Sequence, residues 1–380
     1  MEKNESLLIH GTDYMEMTKK LLQEAELEKQ IPGRESRIGI KPNLVAPSPA
    51  EWGATTHPEI VAGIIEYLQG RGFHHLVIME GSWVGDRTSE SFEVCGYREL
   101  SERYQVPLID AQKEPFLSCD CGGLELQICS CAKQVDFMIN VPVMKGHCQT
   151  KITCALKNMK GLLPNREKRH FHAMGLHRPI AHLGLGISQN FIVVDNICGD
   201  LDFEDGGNPV VMNRIFAGQD PVLVDAFVCE QLHYTKEEVP YVLLAEKLGV
   251  GSADLSQMKL RYLNEAGTVQ TRISQKRKIV ELKDAVEEVE SCSACYGYLI
   301  PTLDRLREEG LLGKLAEKIC IGQGFRGKEG NLGIGSCTSC FSHSLKGCPP
   351  TEEQMYEFLK AYLECGAGNN TDGEINRSER

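Results

Sequence analysis

Short runs of consecutive apolar residues punctuate much of the chain and are separated by stretches with helical periodicity. The runs occupy residues 37–40, 76–79, 106–109, 137–143 and 191–194. Between the first two, Ile60, Val61, Ile64, Ile65 and Leu68 fall on one face of a helix. Apolar strands that alternate with helices are typical of a mostly parallel sheet buried on both faces. We therefore predict an α/β domain over residues 1–285, with helices on both sides of the sheet.

Polar residues follow several of these runs at the point where the predicted strand ends. They are Asn43, Glu80, Ser82, Lys145, His147, Asp195 and Asn196. The carboxyl ends of the strands in an open parallel sheet lie along one edge, and ligands bind there. Any one of these residues, taken alone, is better explained as part of an ordinary polar loop than as part of a site. Taken together, they predict a functional site at this edge of the sheet.

The stretch from residue 144 to 182 is rich in lysine, arginine and histidine, and it begins at this edge. Lysine and arginine recognise phosphates and carboxylates, so we expect an anionic small molecule as ligand. The predicted catalytic residues are His147, Lys145 and Lys157, with His147 as the proton-transfer group. The predicted anion-binding residues are Lys41, Asn43, Ser82, Asn158, Lys160 and Asp195.

Further features of this stretch and of the residues after it lead to local expectations. Residues 150–160 are expected to be helical. Residues 166–172 fit a solvated basic loop as well as they fit part of an anion-binding site. The histidines of residues 170–182 leave open a second metal site. The acidic segment 195–205 is expected to be exposed to solvent apart from Asp195. Asp220 before Pro221 predicts a helix N-cap, and the carboxylate of Asp225 among apolar neighbours is a further site candidate.

Cysteines concentrate near the C-terminus at spacings that suit a metal centre. Cys292 and Cys295 form one Cys-x-x-Cys pair, Cys337 and Cys340 form a second, and Cys348 precedes two prolines. Two such pairs brought together supply four soft thiolate ligands, which select zinc or an iron–sulfur cluster. The Cys-Pro ending and the glycines around the second pair favour an iron–sulfur cluster, most simply a 4Fe-4S cluster.

The ligand set of this centre has more than one solution. The first choice is Cys292, Cys295, Cys337 and Cys348, while Cys340 either replaces one of the last two or joins a second centre. A zinc ribbon that staples a small domain is the alternative. Four more cysteines between residues 119 and 131 lie in an alternating segment that predicts a hairpin with reduced thiols; a second metal site there stays open.

Composition and charge narrow the class of protein. The chain has 380 residues, 16 cysteines and a net charge of −12, which argues against nucleic acid as a partner. It contains no apolar run of membrane-spanning length, and its first residues lack a leader pattern, so we expect a cytoplasmic protein with no membrane contact. We expect residues 286–365 to form a cysteine-rich iron–sulfur module and residues 366–380 to be a disordered tail.

Five sequence elements between residues 37 and 250 resemble the domain-of-unknown-function family 362. They are Lys41-Pro42-Asn43-Leu44-Val45, Thr56-His57-Pro58-Glu59, the Lys145/His147 segment, Ala155-Leu156-Lys157-Asn158-Met159-Lys160-Gly161 and Asp220-Pro221-Val222. The resemblance implies an α/β fold and a redox-associated role, because members often carry an added cysteine-rich iron–sulfur module. It does not imply a particular reaction.

These observations lead to one principal hypothesis and two alternatives. The principal hypothesis is an iron–sulfur protein that acts as a redox-linked enzyme on an anionic small molecule at the sheet edge, with a redox partner protein. The first alternative is a non-enzymatic electron carrier or cluster-delivery protein. The second is a zinc-stapled protein that binds or hydrolyses its ligand.

Overall fold

The computed structural model describes residues 1–264, 273 and 278–365. The strands are β1 (Glu5–His10), β2 (Ile38–Pro42), β3 (Leu76–Glu80), β4 (Leu108–Asp110), β5 (Phe116–Asp120), β6 (Glu125–Cys129), β7 (Phe137–Val141), β8 (Lys145–His147), β9 (Lys151–Thr153), β10 (Phe191–Asp200), β11 (Pro209–Gly218), β12 (Lys259–Tyr262), β13 (Val286–Glu288), β14 (Ile319–Ile321), β15 (Leu332–Ile334) and β16 (His343–Leu345). The helices are α1 (Tyr14–Glu24), α2 (Pro58–Gln69), α3 (Thr88–Val94), α4 (Tyr97–Tyr104), α5 (Ala155–Asn158), α6 (Asn165–Ala173), α7 (His177–Gly186), α8 (Pro221–Gln231), α9 (Pro240–Lys247), α10 (Lys278–Leu282), α11 (Ser293–Glu308) and α12 (Glu352–Cys365).

The main sheet is an eight-stranded, mostly parallel sheet with the strand order β12-β1-β11-β10-β7-β2-β3-β4. β11 pairs antiparallel with both of its neighbours, and the other pairs are parallel. Seven strands therefore run in one direction, and the carboxyl ends of β2, β3 and β7 lie side by side. This adjacency brings the residues after three separate strands to one place on the sheet edge.

The two faces of this sheet bury different side chains, because successive residues of a strand point to opposite sides. In β3, Val77 and Met79 pack in a core that includes residues of α5 to α9. Leu76 and Ile78 pack in the opposite core with residues of α1 to α4. Each fully buried aliphatic side chain contributes about 1.5–3 kcal/mol of hydrophobic stabilisation. The predicted α/β fold with helices on both faces is confirmed.

The described residues divide into two compact units. The first contains Met1–Ile279 and Cys292–Gly297, and the second contains Val280–Ser291 and the described residues from Tyr298 onward. The second unit holds a four-stranded parallel sheet in the order β13-β14-β15-β16. A small separate C-terminal sheet domain is thus present. The predicted disordered tail, residues 366–380, lies outside the described residues.

Three local features of the structure can be compared with what the sequence predicted. The cysteine hairpin is present as β5 and β6 around Gly122 and Gly123, both at positive φ. The Asp220 side chain accepts hydrogen bonds from the backbone of Val222 and Leu223 at 2.9 and 3.1 Å, which confirms the N-cap of α8. No helix within the described residues is long and apolar enough to cross a membrane.

Two expectations about the basic and acidic segments were wrong. Residues 150–160 do not form one helix, because β9 pairs antiparallel with β8 and α5 begins only at Ala155. The acidic segment is not exposed throughout: Asp200 is fully buried and Glu204 is 3% exposed. The backbone nitrogens of Asp202, Phe203 and Asn208 donate to the Asp200 carboxylate at 2.8–2.9 Å, so the acidic segment folds around its own carboxylate.

Candidate functional site

A cavity of about 80 Å³ opens in the first unit where β2, β3 and β7 end. A cavity needs at least about 10–15 Å³ to hold one water, so this one is large enough for several waters or a small ligand. Its lining residues come from seven separated segments of the chain. They are Asn43, Val45, Glu80, Gly81, Trp83, Val84, Lys145, His147, Thr153, Lys157, Asn158, Lys160, Gly161, Lys168, His172, Glu204, Ser293 and Ala294.

One wall of the cavity rests on a buried ion pair between Lys41 and Glu80. The Lys41 ammonium contacts the Glu80 carboxylate and donates to the carbonyl oxygen of Pro42 at 2.8 Å. Burial lowers the pKa of Lys41, and the adjacent Glu80 opposes that shift. The Asn158 amide donates to Asn140 Oδ1 at 2.8 Å, while Asn158 Oδ1 lies 3.4 Å from Lys41 Nζ. The pair therefore fixes the side chain of Asn158 at the cavity wall.

Lys145 reaches the cavity from β8 and has an unusual set of hydrogen bonds for a lysine. Its Nζ donates to the carbonyl oxygen of Ala54 at 2.6 Å and to that of Glu204 at 2.7 Å. The residue is 1% exposed. Burial, followed by repulsion from the Lys157 ammonium, lowers the pKa of Lys145 to about 7. Lys145 can therefore give up or take up a proton near neutral pH.

His147, two residues further along β8, shares a face with Lys145 and is held in one tautomer. Its Nδ1 accepts hydrogen bonds from the backbone of Gln149 at 3.0 Å and Thr150 at 3.2 Å. The ring proton therefore sits on Nε2, which contacts the Glu204 carboxylate. Burial lowers the pKa of His147 to about 3, so the ring stays neutral.

His147, Cys148 and Glu204 bring their ligating atoms within 4.8 Å of one another, the arrangement that a metal ion could use. It is the one such group of three in the described parts of the chain. The hairpin cysteines and the histidines of residues 170–182 form none. Two features weigh against a metal here: the ring proton occupies Nε2, and the cavity wall beside this group carries several ammonium groups. We assign His147 and Glu204 a positioning role.

Three more lysines line the cavity beside Lys145, and the groups that they contact are uncharged. Lys168 Nζ donates to the carbonyl oxygens of Gly81 and Ser82 at 2.8 Å each. Lys160 Nζ lies 3.1 Å from His172 Nε2, and Lys157 Nζ lies 3.3 Å from Thr153 Oγ1. Burial lowers the pKa of Lys160 to about 7 and that of Lys168 to about 8.

Formal charges around the cavity do not cancel. Four lysines line it, and the two lining carboxylates each have a partner of their own, Lys41 for Glu80 and His147 for Glu204. Burial raises the free energy of uncompensated ammonium groups, and a bound anion would relieve it. The described lining of the cavity therefore contains more basic than acidic groups.

Asp225 from α8 orients the short helix that carries Lys157 and Asn158. Its carboxylate accepts hydrogen bonds from the backbone of Ala155 at 2.7 Å and Leu156 at 3.1 Å. These bonds satisfy two of the donors that every helix start leaves open. Burial raises the pKa of Asp225 to about 7. Asp225 thus acts on the cavity through the backbone of α5.

Comparison with known protein families identifies the family of the segment that forms this cavity. Residues 38–230, just over half of the chain, match the family described as Domain of unknown function (DUF362). This chain belongs to the DUF362 family. The matched segment contains every cavity-lining residue except Ser293 and Ala294, and it ends before the C-terminal cysteines.

Two known proteins are similar to this DUF362 chain at low identity. The thylakoid-associated protein sll1697 of Synechocystis sp. is 22% identical over 221 residues, which are 56% of this chain and 68% of that protein. The lactate racemase apoprotein of Thermoanaerobacterium thermosaccharolyticum matches with 15% identity and a TM-score of 0.39, over 60% of this chain. The DUF362 chain spans just over half, 56%, of that racemase.

The fold of the DUF362 chain brings most of the sequence-predicted site residues together. Asn43, Lys145, His147, Lys157, Asn158 and Lys160 line the cavity, and Lys41 lies directly behind it. Ser82 and Asp195 do not line it. The Ser82 hydroxyl donates to the carbonyl oxygen of Leu44 at 2.7 Å and lies 2.8 Å from Ser91 Oγ. Asp195 is bonded to His57 instead.

The contact between Asp195 and His57 is a second buried charge pair. The Asp195 carboxylate lies 2.8 Å from both the backbone nitrogen and Nδ1 of His57. Burial opposes protonation of His57, but Asp195 outweighs it and raises the pKa of His57 to about 11. The pair ties the start of α2 to β10, so Asp195 supports the sheet edge from behind.

Four titratable residues of the cavity were not among the predicted catalytic or anion-binding residues: Glu80, Lys168, His172 and Glu204. Glu80 was visible as a polar residue at a strand end. Lys168 and His172 lie on one face of the helix α6. From the sequence, a solvated basic loop is an equally good interpretation of this stretch. Glu204 sits in the acidic segment, and only its long-range contact with His147 marks it.

The C-terminal cysteines fall in both units of the DUF362 chain. Cys292 and Cys295 belong to the first unit, and Cys337, Cys340 and Cys348 belong to the second. Cys340 and Cys348 are exposed, and the other three are partly exposed. No disulfide links the cysteines whose side chains the structure describes. Cys337, Cys340 and Cys348 of the second unit form no group of converging metal ligands among the described residues, so the metal centre stays a prediction from the sequence.

The lowered lysine pKa values predict how stability changes with pH. The unfolded chain keeps lysine protonated up to about pH 10, whereas the folded cavity releases protons from Lys145, Lys160 and Lys168 near pH 7–8. The unfolded state thus binds more protons between pH 7 and 9, so the free energy of unfolding should increase with pH in this window. Urea unfolding at pH 6.5, 7.5 and 8.5 measures it. A flat or falling trend would contradict the assigned lysine environment.

Proposed function

We propose that the cavity binds a small anion with carboxylate or phosphate groups. The single observation that carries this proposal is the convergence of four lysines on one small cavity whose two carboxylates already have partners. Ammonium groups with lowered pKa values regain their charge when an anion binds beside them. The binding free energy therefore comes mainly from the attraction between the anion and these ammonium groups in a partly dehydrated space.

The cavity also contains two buried acceptor atoms that could receive hydrogen bonds from a ligand. Asn43 Oδ1 and Glu204 Oε1 are buried and have no hydrogen-bond partner within the described part of the protein. Both residues line the cavity. Leaving such atoms without a partner costs roughly 1–3 kcal/mol each. A ligand with a hydroxyl group beside its anionic group, such as a hydroxy acid, would satisfy both kinds of protein group.

Proton transfer in this proposal falls to a lysine rather than to His147. Both ring nitrogens of His147 are engaged, by two backbone N–H groups and by Glu204. Lys145 instead exchanges a proton near neutral pH, as an acid or base at work requires. His147 would then hold Glu204 in place, and Lys157 and Lys160 would hold the anion.

Anion binding should depend on pH in a defined direction. Oxalate is expected to bind more tightly at pH 6 than at pH 9, because the lysines that hold it are protonated only below pH 7–8. At pH 7.5 binding should take up protons, which calorimetry in HEPES and in Tris detects as a buffer-dependent heat. The neutral diamide oxamide serves as the control and should bind weakly. Proton release, or equal affinity for oxalate and oxamide, would contradict the proposal.

The same chain, we propose, holds an iron–sulfur cluster through C-terminal cysteines, with Cys292, Cys295, Cys337, Cys340 and Cys348 as candidate ligands. Their spacing in the sequence and their accessible thiols support this. Such a cluster, when bound, supplies one-electron transfer. Exposure of Cys340 and Cys348 suits electron exchange with a redox partner protein. Cytoplasmic localisation, where thiols stay reduced, completes the proposal.

Anaerobic purification tests the cluster independently of the cavity. The wild-type protein should contain iron and acid-labile sulfide and show a brown chromophore, and C337S should lose a large part of both. C229S, which changes a buried cysteine of α8, is the matched control and should keep them. Stoichiometric zinc in a colourless protein would support the zinc-stapled alternative instead.

The electron-carrier alternative makes a different prediction about the cavity. In a protein whose task is electron transfer alone, K157M would leave the reduction rate of an artificial acceptor unchanged. In the enzyme proposed here, K157M should abolish any dependence of that rate on the bound anion. Measuring the rate with and without oxalate in both proteins separates the two functions.

A further inference from the structure

We propose that Lys145 is an imine-forming nucleophile, and that the carboxylate ligand of the cavity carries a reactive carbonyl group, as a 2-oxo acid does. This inference deepens the proposed function, because it rests on anion binding in the same cavity. It names the substrate class, an acid with an adjacent carbonyl, and it assigns the covalent step to a lysine.

The hydrogen bonds of Lys145 suit a neutral amine. The nitrogen has two protein acceptors, the carbonyl oxygens of Ala54 and Glu204 at 2.6 and 2.7 Å. A neutral amine has two N–H donors, which these carbonyls occupy. Its lone pair is then left for the remaining direction, and Lys145 lines the cavity. The amine is therefore presented to a ligand in the cavity with its two hydrogens already bound.

The surroundings of Lys145 favour the neutral form at physiological pH. Lysines become nucleophiles when they are desolvated or lie beside another cation, and both conditions hold here. Lys145 is 1% exposed, and the ammonium of Lys157 disfavours a second charge. At pH 7 about half of these amines are neutral, against fewer than about one in a thousand for an ordinary lysine.

The other groups of the cavity fit an oxo acid in this orientation. Lys157 and Lys160 provide ammonium groups for the carboxylate of the substrate. The buried acceptors Asn43 Oδ1 and Glu204 Oε1 can each receive a hydrogen bond from the hydroxyl that forms when the amine adds to the carbonyl. The small volume of the cavity, about 80 Å³, favours a short acid.

The covalent step balances with groups present in the protein. The lone pair of Lys145 Nζ adds to the carbonyl carbon, and one proton passes from nitrogen to oxygen to give a carbinolamine. The ammonium of Lys157 protonates the hydroxyl, which leaves as water, and Lys157 becomes neutral. The protonated imine keeps one N–H, which can continue to donate to a backbone carbonyl, and no external oxidant or reductant is consumed.

Reductive trapping with pyruvate and cyanoborohydride at pH 7 tests the inference. Hydride adds to the imine carbon and leaves a stable amine whose added mass is that of pyruvate less one oxygen. Peptide mapping of the wild-type protein should place the adduct at Lys145, enriched roughly a hundredfold over the exposed Lys113. K145M should lose the adduct, while K113M should keep it. The wild-type map decides even if K145M fails to fold.

Oxalate binding measured on the same protein separates this inference from the proposed function. Oxalate binding without an adduct at Lys145 would overturn the imine and leave anion binding standing. An adduct at Lys160 or Lys168 in place of Lys145 would overturn the residue assignment. Adducts scattered over exposed lysines, together with no oxalate binding, would overturn both proposals.

Discussion

E80A is expected to lose about 3–5 kcal/mol of unfolding free energy, because it leaves the buried Lys41 without its carboxylate. Lys41 is 0% exposed. Within the described residues, its other acceptors are only the carbonyl oxygen of Pro42 and the more distant amide oxygen of Asn158. Urea unfolding with a linear extrapolation measures the change. The loss should be larger at pH 6 than at pH 9. Keeping the unpaired Lys41 amine neutral in the folded state costs more free energy as the pH falls.

Two controls isolate the buried charge as the cause of that loss. E90A removes the carboxylate of an exposed ion pair with Arg87, and its stability should stay close to that of the wild type. Adding K41M to E80A removes the orphaned charge and should recover a large part of the stability. A loss below about 1 kcal/mol for E80A, or no recovery in the double variant, would show that the pair does not support the cavity wall.

G161A is expected to destabilise the protein by about 3 kcal/mol and to weaken oxalate binding, because no space exists for a methyl group. A Cβ atom at this position would collide with Glu80 Oε1 and approach Lys41 Nζ to 2.7 Å. These two atoms belong to a buried ion pair, so a shift of either atom would weaken that pair. G161A therefore strains the pair and narrows the cavity at once.

Gly33 provides the matched control for this substitution. No atom of the described residues lies within 4 Å of the Cβ position at Gly33, and its backbone is not in the left-handed region. G33A should therefore be close to neutral in stability and in oxalate affinity. Equal stability of G161A and G33A would contradict the packing described around Lys41 and Glu80.

The fold could be predicted largely from the sequence because the sheet is buried on both faces. Runs such as residues 76–79 and 191–194 are continuous and apolar, as is typical of strands in a sheet that is covered by helices on both faces. The convergence of Asn43, Lys145 and Asn158 followed from the same logic, since neighbouring parallel strands end at one edge. Asp220 before Pro221 carried its own local signal for a helix start.

The parts that escaped prediction depend on contacts between distant residues. Asp195 and Ser82 follow strands just as Asn43 does, but hydrogen bonds to His57 and to Leu44 draw them away from the cavity. Glu204 looked like part of a solvated acidic loop, and its burial comes from its partner His147. Local periodicity contains no information about such pairs, so only the folded structure separates lining residues from supporting ones.

The helix expected over residues 150–160 failed for a related reason. Its amino-terminal part pairs with β8, with His147 opposite Lys151, and Lys151 adopts a positive φ of 67°. This hairpin gives up helical hydrogen bonds but places Lys145 and His147 on one face beside the cavity. Tertiary pairing outweighed local helix propensity there.

Calorimetric titration of oxalate into K160M, beside wild-type protein and K113M, tests the central claim most directly. Lys160 lines the cavity and its side chain is partly exposed, so its replacement should not unfold the protein. Lys113 is exposed and is not among the lining residues. The account predicts that K160M binds oxalate at least about tenfold more weakly, the value of one charge-assisted contact, while K113M matches the wild type. Unchanged affinity in K160M, or an equal loss in K113M, would contradict a lysine-lined anion site in this cavity.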